Sequence, residues 1–468
     1  MKTKMLSFIK SAMTPWDKWL YVLLVALSVA IKLNWLSLPQ ELLLMAVAVL
    51  AVTGDRSRII ALALCGIPMF NVMQYLYALA LCIILYAIKY LRDFRWEFGL
   101  LPVAGLFFIE VFHSGGNLGQ IWEAIRLIAP FVLLLLLMAR KENNCDYVRV
   151  VRVFALITLA MSVLLLVQCA ARAGDSVFRY IADAQRLGIV KHPIKNIVII
   201  NSNTWGGICL IAAIGLLQIS LYGKGGKWDW VGTILLLIFG MLTQSRTFLL
   251  CLAIAMVLLM LALCPDRKTQ KSGLLVLVGC GAAAFLVFFL CFPSVIISLV
   301  KRTLKVGLGN GRGDTFKAYM ELLFSDVKLL FLGSGVQGMR DAAETIGVVP
   351  HNGLQELWVV WGLLGVALFA VLAVCYIKSS RRQNPHQKLI NYIPLILIFI
   401  KVQLGQMVTI GHVMLIFAYA YVSLSYDFGS LPEKMRGDVL MARGKELVVR
   451  AVGTLRRKSC SKRRNENG

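Results

Sequence analysis

Three places along the chain set residues with acid–base or anion-binding chemistry into turns that flank apolar runs. Pro350-His351-Asn352 stands just before an apolar run that begins near Gly353, so Asn352 or Gly353 is placed to cap a helix. The His351 imidazole then lies at the positive end of a long helix dipole, which favours the neutral ring and attracts anions. A neutral histidine titrating near physiological pH is a suitable general base, and a histidine at a helix start is also an ordinary capping residue. Thr243-Gln244-Ser245-Arg246-Thr247 puts Arg246 between two apolar stretches, where a guanidinium either anchors an interface or holds an anion. Gly309-Asn310-Gly311-Arg312-Gly313-Asp314 surrounds Arg312 with glycines. That pattern suits close backbone approach to a phosphate, or a plain turn opening the amphipathic segment Thr315 to Phe324.

The other four histidines point to less. His386 falls in a loop on the cationic side, His192 precedes Pro193, His113 begins the short turn His113-Ser114-Gly115-Gly116, and His412 lies inside the last apolar run. The sequence has no H-x-x-x-H, no H-E-x-x-H and no acidic cluster with metal-ligand spacing, so no metal site is expected. It has no Walker-type phosphate loop, which argues against an ATP-driven pump. The eleven cysteines fall mostly inside apolar runs (Cys65, Cys82, Cys169, Cys209, Cys251, Cys280, Cys375) and form no C-x-x-C pair. They read as small core residues, without disulfides.

The elements that must position these residues are membrane helices. Of 468 residues, 59% are hydrophobic and 16% charged, with a mean hydropathy of +0.76; soluble domains carry about 25% charged residues. A soluble enzyme, a disordered scaffold and a disulfide-framework secreted protein are excluded. Apolar runs of bilayer-crossing length predict an all-α, polytopic transmembrane helical bundle. Spans are expected near 19–37, 40–53, 58–70, 72–90, 98–113, 120–139, 148–171, 203–222, 228–243, 247–264, 272–292, 353–377, 387–403 and 405–425. The short runs at 40–53 and 58–70 could instead be a re-entrant pair, so twelve to fourteen spans are expected, an even number because both termini carry the positive flank.

Net charge is +25, and its placement matters more than its size. Arg56 and Arg58, then Lys89, Arg92 and Arg95, Arg140 and Lys141, Arg267, Lys268 and Lys271, and Lys378, Arg381 and Arg382 alternate onto one side. The N-terminus and the basic tail from Lys434 to Arg464 fall on that side too, which the positive-inside rule makes cytoplasmic. Residues 1–18 are then a cytoplasmic basic lead-in with no cleaved signal, and 426–468 a basic cytoplasmic tail near anionic headgroups. Residues 19–292 hold the first spans with an outer loop near 172–202, 293–352 form a large, partly helical outer loop, and 353–425 hold the last three spans. Both outer loops are themselves basic, as a solvated surface or as the receiver of a polyanionic substrate. Nucleic acid is not an expected partner of cations arranged this way.

These features together resemble the bacterial O-antigen ligase and O-antigen polymerase family of integral membrane glycosyltransferases. The resemblance rests on His351-Asn352 followed by nine residues and then Gly362-Leu363-Leu364-Gly365, an H-N-x9-G-x-x-G pattern. It rests also on the R-x3-L of Arg246 and Leu250, and on Gly311-Arg312 leading through Phe316 and Ala318 to Gly333-Ser334-Gly335. It covers residues 201–365 in detail. Phe316 stands where relatives often have Trp, and twelve spans are usual in the family.

The resemblance implies a donor glycan linked to undecaprenyl pyrophosphate, handled at the periplasmic face of a bacterial inner membrane. Arg246 and Arg312 would hold the pyrophosphate and stabilise its developing charge, with no divalent metal and no cofactor. His351 would deprotonate or orient the acceptor hydroxyl, inverting the anomeric centre. Asn352, Gly311, Asn201 and Asn203 would contribute substrate contacts. The acceptor would be lipid A-core for a ligase, or a second lipid-linked repeat unit for an O-antigen or capsular polysaccharide polymerase. A protein O-glycosyltransferase is of the same chemical class. From a different class, a lipid-linked glycan transporter would also account for many spans and buried cations, and would place discontinuous helices and polar residues at mid-membrane depth.

Overall fold

The structure is a computed structural model that describes residues 41–68, 73–141, 145–173, 177–181, 187, 190–191, 198–264, 289–306, 312–405 and 412–430. Its helices are α1 (Glu41–Thr53), α2 (Arg56–Leu64), α3 (Met73–Lys89), α4 (Leu100–His113), α5 (Leu118–Met138), α6 (Tyr147–Arg172), the short α7 (Val177–Tyr180), α8 (Ser202–Leu221), α9 (Lys227–Leu242) and α10 (Arg246–Leu263). After them come α11 (Pro293–Val306), α12 (Arg312–Ser325), α13 (Val327–Leu332), α14 (Gly335–Ile346), α15 (Gly353–Gln383), α16 (Leu389–Gln403) and α17 (His412–Ser425). A two-stranded antiparallel ribbon, β1 (Val190–Lys191) and β2 (Val198–Ile200), leads into α8. The chain is an all-α helical membrane protein: α5, α6, α8, α10 and α15 are long and apolar enough to cross a bilayer. The span expected at 19–37 and residues 272–288 of the one expected at 272–292 lie outside the described residues.

Polar caps set the helix starts. Asn117, Asp146, Asn201, Ser245 and Asn352 each accept a backbone N–H of the first turn, opening α5, α6, α8, α10 and α15. The span expected at 58–70 begins as α2, only nine residues, or about 14 Å at ~1.5 Å per residue. Its Ser57 to Leu64 are all buried, and so are the turn residues 65–68 that follow. Non-helical backbone at this depth is tolerated because protein, not lipid, surrounds it. The turn between α1 and α2 reaches the end of the bundle, where Asp55 pairs with Arg149 at 2.5 Å and Lys89 Nζ donates to the Gly54 carbonyl at 3.1 Å.

That end is stitched together by cations. Arg56 pairs with Asp93, Arg152 with Asp229 (2.8 Å) and Arg382 with Glu97 (3.0 Å). Lys224 donates to Tyr426 (2.9 Å), and Arg140 to Gln383 (3.2 Å). These contacts tie the ends of α5, α8, α15 and α17 to the starts of α4, α6 and α9, so the helices alternate in direction as the charge pattern predicts. We call this the basic end and the opposite one the distal end. Exposed Trp96, Trp228 and Trp230 ring the first, and exposed Phe112 and Trp122 the second, as bilayer interfaces favour.

Helix α8 is the buried axis, packed between α6, α9, α10 and α16. Its polar groups are satisfied inside the bundle: Gln218 accepts from Tyr147 and donates to the Ile390 carbonyl, and Trp205 Nε1 donates to Ser162 (3.1 Å). Small residues permit this close packing. A Cβ on Gly215 would collide with the Tyr419 hydroxyl and lie 3.0 Å from a Val151 methyl. Gly215→Ala is therefore expected to destabilise the bundle by about 1–3 kcal/mol, the usual cost of overpacking. The thermal midpoint in detergent should fall, and Tyr419→Phe in the same chain should recover part of the loss.

Candidate active site

Most of the residues singled out by sequence gather at the distal end, at helix N-termini. Asn352 caps α15, its side chain accepting from Leu354 N (3.0 Å) and Gln355 N (3.1 Å), and half-buried His351 precedes it. Ser245 caps α10 by accepting from Phe248 N at 3.2 Å, and Arg246 is the first helical residue, half-buried. Asn201 caps α8, its side chain accepting from Asn203 N at 2.8 Å. The Asn352 side-chain carbonyl is thus occupied by two capping bonds and that of Asn201 by one, and the amide NH2 group of each is the donor left for the substrate contacts expected of them. Arg312 opens α12; Gly311 lies outside the described residues.

The tie between α12 and α15 is explicit. Gln355 Nε2, in the first turn of α15, donates to the Phe316 carbonyl in the second turn of α12 at 2.7 Å. Tyr319 Oη donates to the Val348 carbonyl at 2.9 Å, fixing the strand of chain that ends in Pro350-His351. Burial, assisted by the nearby Glu356 carboxylate, pushes the Tyr319 phenol up to about 12, so it stays a donor. The α12 N-terminus, led by Arg312, therefore sits against the α15 N-terminus that presents His351. The N-termini of α8 and α10 also lie side by side, because Gly206 abuts Ser245 and Phe248. The positive ends of the α8 and α10 dipoles thus lie together, as do those of α12 and α15, with Arg246 and Arg312 in the first turns of α10 and α12, and each pair is an arrangement that attracts anions.

A break in α15 supports this arrangement. Gly362 has φ 65° and ψ −171°, so the helix is interrupted there. The freed Val359 carbonyl accepts from Ser334 N (2.8 Å) and Ser334 Oγ (3.1 Å). Gly333 and Gly362 let two backbones touch: a Cβ on Gly333 would lie 2.6 Å from Gly362 N, and one on Gly362 would strike the Phe331 carbonyl. Both have positive φ, so the close approach and the conformation each require glycine. The second motif glycine, Gly365, has no room for a Cβ beside the Trp361 side chain.

Several residues of this scaffold carry no motif. Glu110, buried near the end of α4, accepts from Val336 N and from Trp361 Nε1, both at 2.9 Å. His113 Nε2 donates to the Leu332 carbonyl at 3.0 Å, which assigns the proton to that nitrogen. Trp358 Nε1 donates to the Leu330 carbonyl at 3.0 Å, and Arg340 pairs with Glu123 at 2.8 Å. On the other flank, buried Gln244 adopts φ 50°, and its side chain donates to the Ile181 carbonyl (2.8 Å) and accepts from Ser298 (3.4 Å). Gln244 thereby joins both outer segments to the turn that carries Arg246. A carboxylate inside an apolar run was the one sequence signal for Glu110 and for buried Glu356.

No family model matches the chain, and no curated protein matches it.

Glu110→Ala would strip the acceptor from a buried indole and a buried backbone N–H, each costing about 1–3 kcal/mol. The expected result is faster proteolysis within residues 312–346 in proteoliposomes, with Glu110→Gln in between because it keeps one acceptor oxygen. Equal protection in wild type and Glu110→Ala would mean that the bridge does not hold the segment.

Proposed function

We propose that this protein is an O-antigen ligase-like glycosyltransferase that moves a glycan from undecaprenyl pyrophosphate to an acceptor such as lipid A-core. The observation that carries the reading is the juxtaposition of the α12 and α15 N-termini, through Gln355–Phe316 and Tyr319–Val348, at the end that also bears Arg246. The cations at the basic end support a cytoplasmic assignment for that end, which would turn the distal end to the periplasm of a bacterial inner membrane.

In this reading Arg246 and Arg312 bind the pyrophosphate, aided by the helix dipoles, and offset the charge that grows on the leaving oxygen. The acceptor hydroxyl attacks the anomeric carbon from the side opposite the phosphate. The new C–O bond forms as the anomeric C–O–P bond breaks, the hydroxyl proton passes to the His351 imidazole, and undecaprenyl pyrophosphate leaves. One displacement inverts the centre. Guanidinium groups in this role make a divalent metal unnecessary.

A polymerase would use the same donor chemistry with a second lipid-linked repeat unit as acceptor. For a transporter, a broken helix is the expected device, and α15 is broken. Its freed Val359 carbonyl, however, is taken by Ser334 of the same chain and does not line a path, which weighs against that reading.

The test uses purified protein in nanodiscs, undecaprenyl-pyrophosphate-linked glycan, a panel of acceptors and a chelator. Product on lipid A-core is expected with chelator present. His351→Ala should lower kcat by roughly 10²–10⁴-fold, the usual span for general base catalysis, and Arg246→Ala by about 10²–10³-fold. Longer chains on the carrier would mean a polymerase, and no product from any acceptor would overturn the transferase reading.

A further inference from the structure

Lys401 is an ammonium in the last turn of α16, a helix otherwise apolar from Ile393 to Val402. An ionisable group within a membrane helix is costly and calls for a partner. Two ordinary roles are available to it: offsetting the negative end of the helix dipole, or reaching out to the water interface. Its side chain also packs against a neighbouring helix. It crosses inward onto α8, where a Cβ on Gly207 would lie 2.6 Å from Lys401 Cε, 2.7 Å from Cδ and 3.4 Å from Nζ. The absence of a side chain at Gly207 is what makes room for it.

Its surroundings place it beside the site. The neighbouring glycine, Gly206, abuts Thr243, Ser245 and Phe248, the turn that launches Arg246. On α10, Cys251 faces the Leu397 carbonyl at 4.0 Å, one turn below Lys401 on α16. The ammonium therefore packs on the second turn of α8, in the part of the bundle where α8, α10 and α16 meet. Among the described residues no carboxylate pairs with it and no acceptor takes a hydrogen bond from it, whereas Arg152, Arg340 and Arg382 all have carboxylate partners.

We infer that Lys401 is a phosphate-binding residue, a third cation that contacts the lipid-borne phosphate of the donor beside Arg246. The inference rests on the transferase reading above for the identity of the carrier. Its chemistry is general: a membrane-embedded ammonium near the N-terminal turns of α8 and α10, without a carboxylate partner among the described residues, matches a multiply charged anion attached to a lipid. It also explains a glycine at 207, since any side chain there would push the ammonium away from α8.

The test measures binding of undecaprenyl pyrophosphate alone to the full-length protein in phosphatidylcholine nanodiscs, and the thermal midpoint without it. Lys401→Met should weaken binding about tenfold or more, Lys401→Arg should stay near wild type, and the midpoint of ligand-free Lys401→Met should equal or exceed that of wild type. A structural role would instead lower the midpoint. Lys401→Met binding within about twofold of wild type, while Arg246→Ala is weakened, would overturn the inference and leave the transferase reading intact. Weakening in Lys401→Met with none in Arg246→Ala would support a phosphate site at Lys401 and count against the shared pyrophosphate of the transferase reading. Loss of the Lys401→Met effect when phosphatidylglycerol is added to the nanodiscs would show that a bulk lipid headgroup fills the site, and would overturn its assignment to the carrier.

Discussion

At Gly362 the backbone of α15 leaves the helical region, and the Val359 carbonyl turns to the N–H and hydroxyl of Ser334. Everything placed around His351 depends on that exchange. A straight α15 would bury the carbonyl in its own helix and leave the Gly333-Ser334-Gly335 turn without a seat. With the break, the nine residues from Gly353 to Trp361 become a separate half-helix. Its side chains Gln355, Trp358 and Trp361, three residues apart, reach Phe316, Leu330 and Glu110 respectively. Residues 312–346 are thus bolted to the half-helix through Phe316 and Leu330, and Glu110 ties it on to α4. In the membrane, unpaired backbone groups cost more than they do in water, so a break closed by the chain's own turn is a stable geometry.

The second organising constraint is electrostatic. Cations at the basic end find carboxylates or helix carbonyls, as in Arg382 with Glu97 and the Met138 carbonyl. At the distal end the N-termini of α8 and α10 lie together, as do those of α12 and α15; Arg340 there pairs with Glu123, whereas among the described residues no carboxylate pairs with Lys401. The positive poles of these helices are what an anionic lipid headgroup would meet as it approached from the distal leaflet.

Much of this could be read from the chain, and the failures have physical causes. Helix limits at 100–113, 118–138, 202–221 and 227–242 fall within two residues of the expected spans at each end, because apolar runs there begin at polar caps such as Asn117 and Asn201. The span at 58–70 was harder: its residues 65–68 are buried turn, which has the composition of a helix but not its hydrogen bonds. The motif Gly362-x-x-Gly365 was visible as a pattern, yet its meaning, a backbone contact with Gly333 some thirty residues earlier, is a tertiary fact. Glu110 and Lys401 were legible only as charges inside apolar runs, since the partners of Glu110 come from α14 and α15 and the space for Lys401 from Gly207 of α8. Gln244 gave no signal at all; an ordinary residue at φ 50° is identifiable only from coordinates.

The central claim is that one pyrophosphate is held between Arg246 and Arg312 within reach of His351. A cryo-EM structure of the protein in nanodiscs with undecaprenyl pyrophosphate tests it most directly. The account predicts phosphate density within hydrogen-bonding distance of both guanidinium groups, with the His351 imidazole facing the outer phosphate. Density at another place, or arginines too far apart to touch one pyrophosphate, would contradict it.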